Sequence, residues 1–158
     1  MGFAQLVSWG ISYYLIGIFG EKMLADLAWT RPVVYGGFSL ALVAMGAASP
    51  LICFAIDRYG GRYVLASGSV CCAIGCMGLA RAHTVVGYYA AWLLLGLAMR
   101  AMLYEAAFAA LVRIGGQQAR RPIAKITLLG GLASTCFWPI GHALSEALGW
   151  RGALNVYA

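Results

Sequence analysis

The stretch Phe54–Leu65, FAIDRYGGRYVL, sets an aspartate, two arginines and two glycines between long runs that carry almost no charge. Asp57, Arg58, Gly60, Gly61 and Arg62 fall where one apolar run ends and the next begins, so the stretch reads as a tight charged turn between two helices. Gly60 and Gly61 permit a chain reversal that L-residues resist. An acid at a helix C-terminal end opposes the local dipole and needs a cation or a facing helix N-terminus. Arg58 and Arg62 are the nearest cations, and the connection Arg113–Lys125 lies on the same side if every apolar run crosses a membrane.

Lipid is the solvent that this composition suits. The 158 residues are 63% hydrophobic and 10% charged, against about a quarter charged in an ordinary soluble domain. A run of about 18 or more apolar residues spans a bilayer core as a helix. The sequence predicts an all-α integral membrane bundle, one partial domain over residues 1–158, with spans at 3–19, 33–56, 63–80, 85–112 and 123–148. A sixth apolar run opens at Gly152 and stops at Ala158, so the expectation is five complete helices and the start of another. Met1–Ser8 holds no Lys or Arg and no small-residue cleavage site follows, which favours a retained first helix over a secretory signal.

The charges divide by side. Arg58, Arg62, Arg113, Arg120, Arg121 and Lys125 fall on one face; Lys22, Arg31, Arg81 and Arg151 fall on the other, diluted by Glu21, Asp26 and Glu146. Positive charge favours the cytoplasmic side, so the Asp57 turn and the N-terminus are expected to be cytoplasmic, in a multi-pass cell (inner or plasma) membrane protein. The net charge of +6 is not gathered with exposed aromatics on one surface, which argues against nucleic acid. Cys53, Cys71, Cys72, Cys76 and Cys136 lie inside the predicted spans without metal or redox spacing, so no metal or cofactor is expected.

The charged turn has an echo. PLICFAIDRYGGR starts at Pro50 and PIGHALSEALGWR at Pro139, and Pro50, Asp57, Gly60 and Arg62 correspond to Pro139, Glu146, Gly149 and Arg151. At the same offset Leu40 pairs with Leu129 and Ala44 with Ala133. The two copies follow spans two and five and so lie on opposite faces. Three helices followed by three inverted ones is the repeat logic of secondary transporters; chance gathering of Pro, Gly and charge at helix ends is the alternative.

Asp57, Arg58, Gly60 and Arg62 resemble the loop signature Gly-x-x-x-Asp-Arg-x-Gly-x-Arg of the major facilitator superfamily, with Cys53 at the leading glycine position. GWR at Gly149–Arg151 and WLLLGLA at Trp92–Ala98 extend the resemblance. It covers the chain helix for helix, as the N-terminal half of a typical member with its 3+3 inverted repeat, truncated early in the sixth helix. It implies alternating access around a central cavity between two halves, with the second half as a missing partner. It also implies that Asp57, Arg58, Gly60 and Arg62 act as a cytoplasmic gating latch; the alternative from charge alone is a topology anchor.

Arg100 falls near the middle of the fourth span, where a charge costs at least about 2.5–3.5 kcal/mol and marks a functional or paired group. Glu105 lies about 140° round a continuous helix from it, so the two are expected on different faces with separate roles, Tyr104 beside Arg100 instead. A guanidinium grips carboxylates bidentately, so Arg100 is a candidate for an anionic substrate group, with Tyr104 beside it; a bundle ion pair is the alternative. Glu105 and His142 are proton-coupling candidates. Gln5, Ser8, Trp9, Ser12 and Tyr13 place a polar, aromatic stripe on the first helix, which the resemblance assigns with the fourth helix to the cavity wall. Ser134, Trp138 and His142 recur four apart on the fifth helix and add a further wall. Ser67, Cys71 and Gly75 form a small-residue stripe for close helix approach, and Pro50 and Pro139 are expected to bend their helices.

The expected function is a secondary transporter of a small solute, an organic anion, coupled to protons or exchange. A drug exporter is the alternative; the exporter signature expected in the fifth helix, a Gly-Pro pair followed by glycines, appears only as WPIG at Trp138–Gly141, which argues against it. A non-transporting fragment or assembly subunit is the reading from another class. No cluster of His, Cys or carboxylates offers an enzyme's site.

Overall fold

The computed structural model describes residues 2–158, with the side chains of all of these except Ile114, Gln117 and Gln118. Among the described residues every regular element is helical: α1 (Gly2–Ile11), α2 (Leu15–Leu27), α3 (Arg31–Ala47), α4 (Ser49–Tyr59), α5 (Gly61–Ala80), α6 (Val85–Met102), α7 (Tyr104–Gly115), α8 (Arg120–Gly131) and α9 (Ala133–Tyr157), with a 3-10 turn at Gly116–Ala119. A helix satisfies its own backbone, which hydrocarbon cannot. Gly2–Leu27, Gly61–Ala80, Val85–Arg113 and Arg120–Tyr157 are long and apolar enough to cross a membrane, and α3 with α4 makes a fifth crossing if the bent pair is one span.

Most of these crossings are interrupted, which apolar run-length does not reveal. Between α1 and α2 the Ser12 hydroxyl donates to the Ser8 carbonyl at 2.6 Å, a local bond that competes with the helical ladder; the helix resumes and runs to Leu27, beyond the predicted 19. Between α3 and α4 the axis bends by 50° at Ala48. Pro50, in the first turn of α4, has no N–H and crowds the carbonyl four residues back, so the bend precedes the proline. Leu103 is extended (φ −81°, ψ −170°) and separates α6 from α7, breaking the predicted span 85–112. Arg120–Tyr157 has 38 residues, about 57 Å of ideal helix and nearly twice a bilayer core. Gly149, at φ 70° and ψ 167°, divides it.

Glycine sets the closest approach in the bundle. On α5 the side that meets α6 and α7 is Gly61, Gly68 and Gly75, where an added Cβ would collide with Ala110, Ala101 and Leu95 respectively. This corrects the predicted stripe: Gly75 belongs to it, Ser67 is exposed and Cys71 only half-buried. The spacing of seven keeps one face toward a partner helix, whereas a step of four drifts round the axis. Association within lipid rests on such van der Waals contact rather than on hydrophobic transfer. The main core gathers Leu15, Phe19, Met23, Tyr88, Trp92, Leu95 and Met99, and the Tyr88 hydroxyl donates to the Val34 carbonyl at 2.8 Å, fixing α6 against α3. A second, smaller cluster of Ile56, Val64, Ala101 and Ala106 packs α4 and the start of α5 against α6 and α7.

The two ends of the bundle differ. At one end Lys22 meets Glu146 at 2.6 Å, Arg31 meets Glu21 at 3.1 Å and Arg151 meets Asp26 at 3.2 Å. Arg151 also donates to the Ala80 and Ala82 carbonyls at 2.8 and 3.2 Å, closing the C-terminal end of α5. At the other end Arg113 Nη1 donates to the carbonyls of Ile56 (2.5 Å) and Asp57 (2.6 Å). Arg113 therefore joins Arg58, which stands in the last turn of α4, in bringing positive charge to the C-terminal end of that helix, as its dipole favours. Among the described residues Asp57 forms no ion pair, and Arg58 lies over the Tyr59 ring at 5.6 Å.

Candidate functional site at the broken α6–α7 crossing

An interrupted helix leaves backbone groups that need partners, and the break at Leu103 draws polar side chains to it. Leu103 N–H still donates to Met99 O at 3.0 Å, while the Met102 carbonyl accepts from Gln5 Nε2 at 2.7 Å. Gln5 is 3% exposed. α1 thus supplies the bond that stabilises the end of α6. The carbonyl fixes which way the amide points, and Gln5 Oε1 is left without a partner among the described residues.

Arg100 lies one turn before the break. Its side chain is 12% exposed, and Nη1 meets Glu105 Oε2 at 2.5 Å, while Nη2 donates to Ser49 Oγ at 2.6 Å. This corrects the expectation of separate faces: 140° of rotation holds for an unbroken helix, and the extended Leu103 resets the phase of α7 so that Glu105 turns back to Arg100. Glu105 also occupies the first turn of α7, where a carboxylate suits the positive end of the dipole. It is half-exposed, at 53%, whereas the guanidinium that it meets is largely buried.

Tyr104 does not sit beside Arg100 on one helix face, because it begins α7. Its hydroxyl donates to the Thr127 carbonyl at 3.1 Å, and its ring meets Trp9 at a centroid distance of 4.8 Å and stacks on Phe108 at 5.3 Å. Trp9, Met45, Leu103, Tyr104, Glu105 and Phe108 line a cavity of about 280 Å³. Its wall is mostly apolar, with Glu105 as its charged group. Tyr13 joins indirectly, packed on Trp9 at 5.0 Å and Phe38 at 5.4 Å.

Ser134, Trp138 and His142 lie elsewhere. Ser134 on α9 is half-buried, Trp138 and His142 are exposed, and the ring of Trp138 covers Gly17 of α2. None of them lines this cavity. Sequence reasoning missed Ser49, Met45 and Phe108. Phe108 stands four residues after Tyr104 and was open to the same spacing test that found Trp9 and Tyr13; Ser49 reaches the site only through the bend ahead of Pro50. Gly60 (φ 89°, ψ 147°) and Gly149 (φ 70°, ψ 167°) share one unusual backbone region, the conformation that glycine alone adopts readily. Among the described residues no group of three His, Cys, Asp or Glu is placed to hold a metal.

Apolar crossings broken at mid-helix, a charged pair at a break and a cavity lined from three interrupted crossings are features that secondary transporters share. The family model of the Major Facilitator Superfamily matches residues 1–158, and the chain belongs to that superfamily. Its members are multi-pass membrane transporters rather than enzymes. Comparison with curated proteins and with solved structures returns no match.

Proposed function

We propose that the protein works as the N-terminal half of a secondary carrier that moves a small organic anion by alternating access, with Arg100 and Glu105 as the coupling pair. The observation that carries this reading is the arginine held between Glu105 and Ser49 beside the cavity. A carboxylate on the solute is chemically equivalent to the Glu105 side chain and competes with it for the guanidinium. When Glu105 takes up a proton it loses its hold on Arg100, and the solute takes its place; loss of that proton restores the internal pair and expels the solute. One arginine then serves two partners in turn, and proton and anion travel together.

The surroundings fit the same cycle. Trp9, Tyr104 and Phe108 offer apolar faces to the organic part of the solute, and Gln5 steadies the break. His142, exposed and remote from the cavity, is the weaker proton candidate. The turn Asp57, Arg58, Gly60 and Arg62 serves as the cytoplasmic latch toward a second half, Asp57 forming no ion pair among the described residues. The common backbone of Gly60 and Gly149 supports an inverted repeat in which Glu146, Gly149 and Arg151 are the counterpart. The protein is placed in the cell membrane, and the loop arginines support an orientation with the Asp57 turn and the N-terminus cytoplasmic.

A second reading is an exporter of lipophilic organic cations, favoured by the aromatic faces next to Glu105, since such faces attract cations. Uptake and counterflow in proteoliposomes holding the full carrier separate the two. For an anion carrier, carboxylates compete and quaternary ammonium compounds do not; Arg100→Ala lowers kcat/KM at least about tenfold, because charge-assisted bonds are the strong ones. Glu105→Gln retains exchange but no longer responds to a proton gradient. Competition by the cations alone, with Arg100→Ala fully active, overturns the anion reading in favour of the second.

A further inference from the structure

We infer that Ser49 is a positioning residue that couples the bend in α3–α4 to the break in α6–α7, so that α4 and α7 swing as one unit. The inference concerns how the bundle moves, and it stands whichever solute is carried. Arg100 leaves α6 just before Leu103, and its guanidinium reaches both discontinuities: Ser49, the first residue of α4, through Nη2 at 2.6 Å, and Glu105, in the first turn of α7, through Nη1 at 2.5 Å. Near the far end of α7, Arg113 donates to the Ile56 and Asp57 carbonyls in the last turn of α4 at 2.5 and 2.6 Å. The two segments are therefore clasped by an arginine at each end.

Between the clasps they meet in a cluster that α5 and α6 also enter, through Val64 and Ala101. Ile56 of α4 and Ala106 of α7 belong to the small cluster that stands apart from the main core. Each segment continues into the rest of its crossing through one irregular point, the 50° bend at Ala48 and the extended Leu103. Stiff contacts within the pair and a soft joint at the end of each member are the anatomy of a hinged element. The hydroxyl has an electrostatic part as well. A cation is unfavourable at a helix N-terminus, and Arg100 faces that end of α4; the Ser49 oxygen is the acceptor that makes the contact attractive. The remaining α4 group near the guanidinium is Cys53 Sγ at 3.8 Å, a weak acceptor.

Hydrogen–deuterium exchange of the full protein in nanodiscs tests this without any solute, because exchange reads local opening segment by segment. In Ser49→Ala the amides of residues 51–56 in α4 and of residues 105–110 in α7 are expected to exchange about tenfold faster together, the scale of one lost hydrogen bond to a charged group. Ser49→Thr, which keeps the hydroxyl, is expected to stay within about twofold of the wild type, while α3 amides remain protected in both and report an intact bundle. A rise confined to α4, no rise in either segment, or a threonine variant that behaves like alanine overturns the proposal. Arg113→Gln opens the other clasp without touching Arg100 and gives an independent reading: faster exchange in the last turns of α4 and α7 together supports the paired unit, and a change in α7 alone sinks it.

Discussion

Arg100 and Glu105 show how one backbone dihedral decides what two charges can do. With Leu103 helical they diverge around the axis; with Leu103 extended they meet at 2.5 Å. Removing one partner from such a pair strands the other, whereas replacing both removes the problem along with the bond. Thermal unfolding in detergent is expected to show Arg100→Met destabilised by about 2 kcal/mol, between the values for a buried and an exposed pair because Glu105 keeps half its water. The double variant Arg100→Met with Glu105→Gln is expected to recover at least half of that loss. If the double variant is as unstable as the sum of the two singles, the pair is not a coupled unit in the folded protein.

At the scale of the helix, glycine does two unlike jobs. Gly61, Gly68 and Gly75 remove bulk so that α5 meets α6 and α7 at backbone distance. Gly60 and Gly149 instead adopt positive φ with extended ψ, at points where nothing crowds a Cβ. Alanine at Gly60 or Gly149 is therefore strained by its own backbone, with an expected loss of about 1–3 kcal/mol. Gly46, inside α3 with equally open surroundings, is the matched control: alanine there is expected to be neutral or to stabilise by up to about 1 kcal/mol. Equal melting temperatures for the Gly60→Ala, Gly149→Ala and Gly46→Ala proteins would contradict this assignment. The expected and observed helices diverge for a related reason. Apolar content predicted that residues 33–56, 85–112 and 123–148 are helical, but composition carries no sign of a bend; Pro50 marked one, whereas the bend expected at Pro139 falls instead at Gly149, the one non-helical residue inside α9.

At the scale of the whole molecule the two ends carry different electrostatics. One end pairs its charges across elements, through Lys22 with Glu146 and Arg151 with Asp26, and so holds α2 to α9. The opposite end exposes Arg58, Arg62, Arg120 and Arg121, with Arg113 turned inward onto α4. On the proposed orientation an impermeant thiol reagent added outside intact cells labels Arg31→Cys, in a background carrying Cys53→Ser, and labels Arg62→Cys only after permeabilisation. Labelling of both without permeabilisation, or the reverse pattern, removes the orientation and with it the cytoplasmic role of the Asp57 turn.

What the chain's residues determined alone is the solvent, the helical class and the family: long uncharged runs force internally bonded helices in lipid, and the Asp57–Arg62 turn is local enough to read in order. Arg100, Glu105, Trp9, Tyr104 and Gln5 were legible as odd groups in apolar helices, because a polar side chain in hydrocarbon is conspicuous wherever it points. Their arrangement was not legible. The meeting of Arg100 with Glu105, the hold of Gln5 on Met102, the reach of Ser49 and the capping of α4 by Arg113 depend on the break at Leu103, the bend at Ala48 and contacts between residues far apart in sequence. Those are decided when helices pack, since the energy that keeps an interrupted turn in place comes from partners that only the tertiary structure brings to it.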